Sequence, residues 1–226
     1  MNLTSFRPLP GFWDRIAPWY EKWANRGTYH SVIVKELFQM VEQGWHVMDI
    51  GAATGVLSLP MAAMGCSVTA IEPSEGMGSL FRTKLATAGI HNVTIVEKRW
   101  EDFYSSEKTV QDLIVACNSL HLTEGGISGG MTKVFSSGAR YVCLITEINQ
   151  NTFIDFKDID ALQNTYTFLY IRNYVADSTF YFVDIHEVRE LEAVLNSRIP
   201  VAMESGKPVQ RDRTDIAVVW WEKKGQ

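Results

Sequence analysis

Two acids and a histidine stand where apolar runs end, which is where a folded chain can put them to use: Asp49, Glu72 and His121. Asp49 lies in the run Val47-Met48-Asp49-Ile50, directly before Gly51-Ala52-Ala53-Thr54-Gly55. Glu72 closes the β-rich run Ser67-Val68-Thr69-Ala70-Ile71. Between the two runs, Val56, Leu57, Met61 and Met64 keep a helical spacing. Residues 46–72 therefore read as strand, tight turn, helix, strand, the length of one right-handed crossover. Small residues at the turn let a ligand approach the backbone, and a helix N-terminus offers free N–H groups. An acid at the tip of the second strand can accept both hydroxyls of a ribose. The unit is half of a nucleoside site in outline. His121 follows another apolar run, Leu113–Cys117, and its ordinary pKa suits a base. A helix-start histidine without a chemical role fits the same position.

The turn discriminates between nucleosides. A dinucleotide fingerprint needs glycine at the third and sixth positions of G-x-G-x-x-G, and here those positions hold Ala53 and Val56. A nicotinamide oxidoreductase is thereby disfavoured. No Gly-Lys-Ser/Thr follows a glycine turn, so no nucleotide-triphosphate loop of that type is present.

The remaining elements must position these residues. The chain has 226 residues, 46% of them hydrophobic, enough for one domain with a full core. Its net charge of −5 disfavours broad electrostatic binding to nucleic acid. Cys66, Cys117 and Cys143 lie in apolar runs and read as reduced core residues. There is no signal-like N-terminus, and no apolar run approaches the ~18 residues of a membrane span, so a cytoplasmic protein without membrane contact is expected. Residues 1–10 read as an extended arm, and Trp13, Trp19, Tyr20 and Trp23 then either pack that segment onto the body or cover a site. A helix is expected over His30–Gln43, another over Met77–Leu85, and strands at Val93–Val96, Leu113–Cys117 and Arg140–Ile145. Four glycines within 125–130 predict a mobile connection rather than a helix. Residues 151–183 carry nine aromatics; length favours a helix over 156–173, although 166, 168 and 170 also alternate as in a strand. Thr179–Ile185 reads as a sixth strand, Asp184 and Glu187 as a capping box, 197–213 as a loop, and Asp215–Glu222 as a last, antiparallel strand. The alternation predicts an α/β fold: a doubly wound, mostly parallel seven-stranded sheet with an antiparallel last strand and helices on both faces.

Asp49-Ile50-Gly51-Ala52-Ala53-Thr54-Gly55 resembles motif I of class I (Rossmann-like) S-adenosylmethionine-dependent methyltransferases, an acid, a variable residue and G-x-G-x-G, with Ala53 in place of the central glycine. Glu72-Pro73-Ser74-Glu75-Gly76-Met77 looks like the next motif, and Lys98–Phe103 and Asp112–His121 match the third- and fourth-strand motifs in order. Trp13–Tyr20 resembles the N-terminal cover segment of many members. The resemblance covers about residues 46–145 and implies S-adenosylmethionine as cofactor and S-adenosylhomocysteine as product. It implies a cofactor site of Tyr20, Asp49, Gly51, Ala52, Ala53, Gly55, Glu72, Pro73, Met77, Trp100, Glu101, Asn118 and Ser119, with no metal. Within it Glu72 holds the ribose, and Asp49 organises the turn or meets the methionine ammonium. Trp100 stands where members often carry a small residue, and is placed to stack on or wall the adenine. Tyr20 and Trp13 are suited to close over the sulfonium by cation–π contact. His121 is the candidate catalytic base.

The expected domain is single: an arm or cover over 1–29, a cofactor core over 46–145, and an aromatic insert over 151–183 that serves as substrate lid, sheet packing or dimer face. Asn118-Ser119-Leu120-His121 lacks the two prolines of base-modifying amino-methyltransferases, so a small-molecule acceptor is expected rather than nucleic acid. Monomer and homodimer are both open. The rival reading is a non-catalytic module that binds the cofactor or its demethylated product.

Overall fold

The computed structural model describes residues 11–104, 110–148, 165–177 and 179–225. Helices α1 (Phe12–Arg26) and α2 (Tyr29–Leu37) lead into β1 (His46–Ile50). Then follow α3 (Ser58–Ala63), β2 (Ser67–Ile71), α4 (Glu75–Ala88), β3 (Val93–Val96) and β4 (Leu113–Cys117). A 3-10 turn (Leu120–Leu122) precedes α5 (Gly126–Ser136) and β5 (Tyr141–Glu147). Next come β6 (Tyr166–Asp177), β7 (Phe180–Tyr181), α6 (Ile185–Leu195), β8 (Ala202–Glu204), β9 (Lys207–Gln210) and β10 (Arg213–Lys223).

Seven strands form one sheet in the order β3-β2-β1-β4-β5-β10-β6. The first five pair in parallel, and β10 enters antiparallel between β5 and β6, as expected of the last strand. Strand β1 is paired on both sides and four of its five residues are buried, hence its continuous apolar run. Val47, Val68, Val115 and Trp220 pack under α2 and α3 on one face. Met48, Ile50, Ile114 and Trp221 pack under α5 on the other. The strand order turns around between β1 and β4, so their carboxyl ends open the crevice where such sheets bind ligands.

Several expectations fail. The helix over 156–173 is contradicted from Tyr166 onward: residues 166–177 form β6, an antiparallel partner of β10, while 156–164 lie outside the described residues. Cross-strand pairing with the buried β10 overrides the helical phase that length favoured. Of the strand expected at Thr179–Ile185, only Phe180–Tyr181 is extended, in a separate sheet of order β7-β9-β8. The expected loop at 197–213 contains the β8–β9 hairpin, closed by Ser205 and Gly206, both at positive φ. The connection expected to be mobile at 125–130 is the start of α5. Its glycines serve close packing: a Cβ on Gly130 would lie 3.0 Å from a Leu120 methyl, and Trp100 Nε1 donates to the Gly130 carbonyl at 3.2 Å. Helix α2 ends at Leu37, short of the expected Gln43.

Candidate active site

The turn after β1 is held against the tip of β2. The N–H groups of Gly51 and Ala52 both donate to the Ile71 carbonyl, at 2.8 and 3.1 Å. Gly51 and Gly55 have φ of +74° and +81°, and neither leaves room for a side chain. A Cβ on Gly51 would lie 2.4 Å from Ser119 Cβ, and one on Gly55 would lie 2.2 Å from the Phe81 ring. Ala53 is also left-handed, at φ +49°, so the residue replacing the motif's central glycine adopts a glycine-like conformation.

Glu72 is 6% exposed and bridges the two turns. Its Oε2 accepts from Ala53 N and its Oε1 from Ser74 N, both at 2.8 Å. Burial pushes this carboxyl up to about 7; the two N–H groups oppose that, and the charges of Asp49 and Asp14 add to it. Asp49 is buried too, and burial pushes it up to about 6 against the Ser58 hydroxyl and N–H. Its Oδ2 accepts from Ser58 Oγ at 2.7 Å, so Asp49 holds the start of α3.

Helix α1 lies across this region. Asp14 Oδ1 accepts from Ser74 Oγ at 2.7 Å and from Gly76 N at 2.9 Å, which ties α1 to the start of α4 and holds the Asp14 carboxyl below its usual range. At the other end, Lys22 and Arg26 donate to Glu187 at 2.7 and 3.0 Å. Burial would raise the Glu187 carboxyl, but Arg26, Lys22 and the Val183 N–H outweigh it and hold it at about 2. That last bond replaces the expected capping box: Asp184 caps α6, while Glu187 turns to α1. Between the two ties, Tyr20 and Ala53 join the apolar cluster of α1, α4 and α6. The Tyr20 hydroxyl lies 3.3 Å from His30 Nε2 and is pushed well above its usual range by burial, with the charges of Cys117, Asp49 and Glu72 adding to that.

At the β4 tip, Asn118 takes φ +48°, and its Nδ2 donates to the Tyr29 hydroxyl at 2.5 Å. Ser119 Oγ donates to the Ile50 carbonyl at 2.5 Å, locking β4 to β1. His121 sits in the 3-10 turn; its Nε2 is buried without a partner among the described residues, and burial lowers its pKa. Pro73 is exposed, and Met77 is buried beneath α1. Trp100 lies in the core below α5, and Glu101 accepts from Glu124 N at 3.0 Å. Thus Asp49, Gly51, Ala52, Ala53, Gly55, Glu72, Asn118 and Ser119 lie at or beside the carboxyl ends of β1, β2 and β4, and Tyr20 packs in the same cluster as Ala53, whereas Trp100 is buried in the core against Gly130. The polar partners Asp14 and Tyr29 were not among the sequence-expected site residues. Only their place beside aromatic residues near the N-terminus hinted at them. Among the described residues, no group of three or more His, Cys, Asp or Glu is placed to hold a metal.

Residues 47–136 match a family model described as a methyltransferase domain. An uncharacterized methyltransferase of Bacillus licheniformis is 28% identical over 121 residues, covering 47% of this chain and 54% of that protein. The chain spans about half the length of the curated relatives it matches. Among solved structures, a methyltransferase-like protein from Bacillus halodurans is similar in fold with a TM-score of 0.60 at 13% identity, covering 85% of this chain and 99% of that one. The magnesium protoporphyrin IX methyltransferase of Synechocystis, solved with S-adenosylmethionine bound, superposes with a TM-score of 0.54 at 15% identity over 85% of this chain and 77% of its own. The family match covers the motif-bearing core, residues 47–136, and the seven-stranded sheet with its antiparallel last strand is the Rossmann-like fold of these methyltransferase structures.

Proposed function

We propose that this chain transfers the methyl group of S-adenosylmethionine to a small-molecule acceptor. Glu72 carries the proposal. Each of its carboxylate oxygens accepts one backbone N–H, from Ala53 and Ser74, and so keeps a further lone pair for a ribose hydroxyl. The left-handed Ala53 and the glycines around it keep the turn beside Glu72 narrow. Bound S-adenosylmethionine supplies an electrophilic methyl on a sulfonium, which a nucleophile takes by in-line displacement.

The chain's own residues bind, orient and exclude water. Glu72 takes the ribose, and the turn of residues 51–55 supports the chain between ribose and sulfur. Asp49 holds the start of α3, just after that turn, through Ser58. Helix α1, tied down by Asp14 and Glu187, covers the crevice and brings Tyr20 to the sulfonium side. Trp100 and Glu101 border the adenine side. His121, neutral at ordinary pH because burial lowers its pKa, takes the proton of the acceptor. The net charge of −5 supports a small-molecule acceptor over nucleic acid.

Calorimetric titration with S-adenosylmethionine, S-adenosylhomocysteine and NAD tests the cofactor. Binding of the first two and not of NAD is expected; binding of NAD alone would refute it. Incorporation of a tritiated methyl group into a small-metabolite pool tests transfer. Cofactor binding without any incorporation would favour the non-catalytic module.

A further inference from the structure

The outer face of α2, α3 and α4 carries a groove that the proposed function leaves unused. Helix α3 has only six residues, against nine in α2 and fourteen in α4. Along it run two adjoining hollows of about 470 and 520 Å³, which share Leu59, Pro60 and Lys84. That is the size range of small-molecule sites. Val34, Phe38, Val56, Leu59 and Pro60 give the larger hollow an apolar lining, and Phe38 is 42% exposed within it. Gly55 borders it too, so the hollow reaches the end of the turn that follows β1.

The charged groups at the groove have one sign. Lys35 and Lys84 line it, and among the described residues no Asp or Glu does, although the chain as a whole carries −5. Lys84 is paired with Glu21 at 3.0 Å, whereas Lys35 is exposed and forms no ion pair among the described residues. His30 lines the larger hollow as well. Its Nε2 lies 3.3 Å from the Tyr20 hydroxyl, and its Nδ1 is buried with no hydrogen-bond partner among the described residues. In the tautomer whose Nε2 accepts from Tyr20, Nδ1–H is a donor with nothing to meet it, a costly state inside a protein. Burial and then the charge of Lys84 lower the His30 pKa to about 4, against the weaker opposing charge of Glu21. The ring is therefore neutral at ordinary pH and sits in a net positive field, which favours an anion.

We propose that this hollow is a second binding site, for a small carboxylate with an apolar body. His30 donates to the carboxylate, Lys35 supplies the balancing charge, and Phe38, Leu59 and Pro60 take the apolar body. A single unpaired lysine in an apolar groove matches one negative charge and leaves a doubly charged phosphate short of compensation. The site stands apart from Glu72 and does not depend on methyl transfer.

The test titrates the full chain with naphthylacetate, naphthylethanol and naphthylethylamine, which share one ring system and differ in the head group. Naphthylacetate should bind roughly tenfold or more tighter than the amine, with the alcohol between them. In Lys35→Glu that preference should fall to about threefold or less, and Phe38→Ser should weaken all three probes alike. An unchanged Tm shows that each variant is folded. In protein labelled with 15N-histidine, the ring signals of His30 should move with naphthylacetate and stay in place with the amine. The proposal is overturned if the amine binds as tightly as the acid, if no naphthylacetate binding saturates, if the preference survives in Lys35→Glu, or if the His30 signals do not respond. The wild-type comparison and the His30 signals keep it open to refutation should a variant not fold.

Discussion

Glu72 makes cofactor affinity depend on pH in a way that can be worked out beforehand. Its carboxyl is pushed to about 7 by burial, against 4.5 for an ordinary glutamate. A folded-state value raised above the unfolded one means that stability is fully present below about 4.5 and is lost as pH rises through about 7; the shift corresponds to about 3 kcal/mol. Two ribose hydroxyls donating to the ionised carboxylate would recover much of that loss, because hydrogen bonds to a charged acceptor are worth about 1.5–3 kcal/mol each. Binding therefore selects the ionised form. About 3% of Glu72 is ionised at a pH 1.5 units below its value and about 97% at 1.5 units above, so affinity should rise about 30-fold, or ~2 kcal/mol, across that window. Methylthioadenosine is the suitable probe, since it keeps the ribose and lacks the amino-acid tail that titrates in the same range. Calorimetry between about pH 5.5 and 8.5, in buffers of different ionisation enthalpy, should show the rise together with release of up to one proton per ligand at the acid end. Glu72→Gln should bind weakly at all pH values and abolish the slope. A flat affinity profile in the wild type, with no proton release, would refute ribose binding by Glu72.

Other perturbations have equally definite outcomes. Gly55→Ala forces a methyl group to 2.2 Å from the Phe81 ring at φ +81°, and should cost about 2 kcal/mol or more in chemical denaturation. Asp14→Ala removes the acceptor for Ser74 Oγ and Gly76 N; it should lower stability by about 1 kcal/mol and speed proteolysis within α1, and unchanged proteolysis would argue against that tie. Glu187 is held at about 2, so its contribution is present above about 4.5 and lost as pH falls through about 2; the acid-side fall in Tm should be smaller in Glu187→Gln than in the wild type. His121→Asn should slow methyl transfer by about 10²-fold or more with cofactor affinity intact, and an unchanged kcat would remove the proposed base.

Much of the core was legible before any coordinates. Asp49 through Gly55 and the acid at Glu72 carry their meaning in local spacing, because a strand, a tight turn and a helix of these lengths have few ways to connect. The same locality made β1 to β5 and the antiparallel entry of β10 readable from apolar runs and the long loop before it. Where sequence reasoning failed, a distant partner decided the outcome. Residues 166–173 suit a helix or a strand, and only the cross-strand partners on β10 make them β6. The glycines at 125–130 argue against a helix in isolation, yet Gly130 lets α5 come close to Leu120.

The amino-acid sequence by itself determined the order of the motifs, the two glycines of the turn and the acid on the second strand, since these depend on residues near one another in the chain. Only the tertiary structure decided what the side chains meet. It set Asp49 on Ser58 rather than on the turn amides, bound Glu72 to Ala53 and Ser74, and anchored α1 through Asp14 and Glu187. It also brought Glu147 beside Asn118 and Tyr29, residues far apart in sequence. Burial and electrostatic environment are properties of the packed molecule, and they, not residue type, determine which of its acids are paired and which face the crevice.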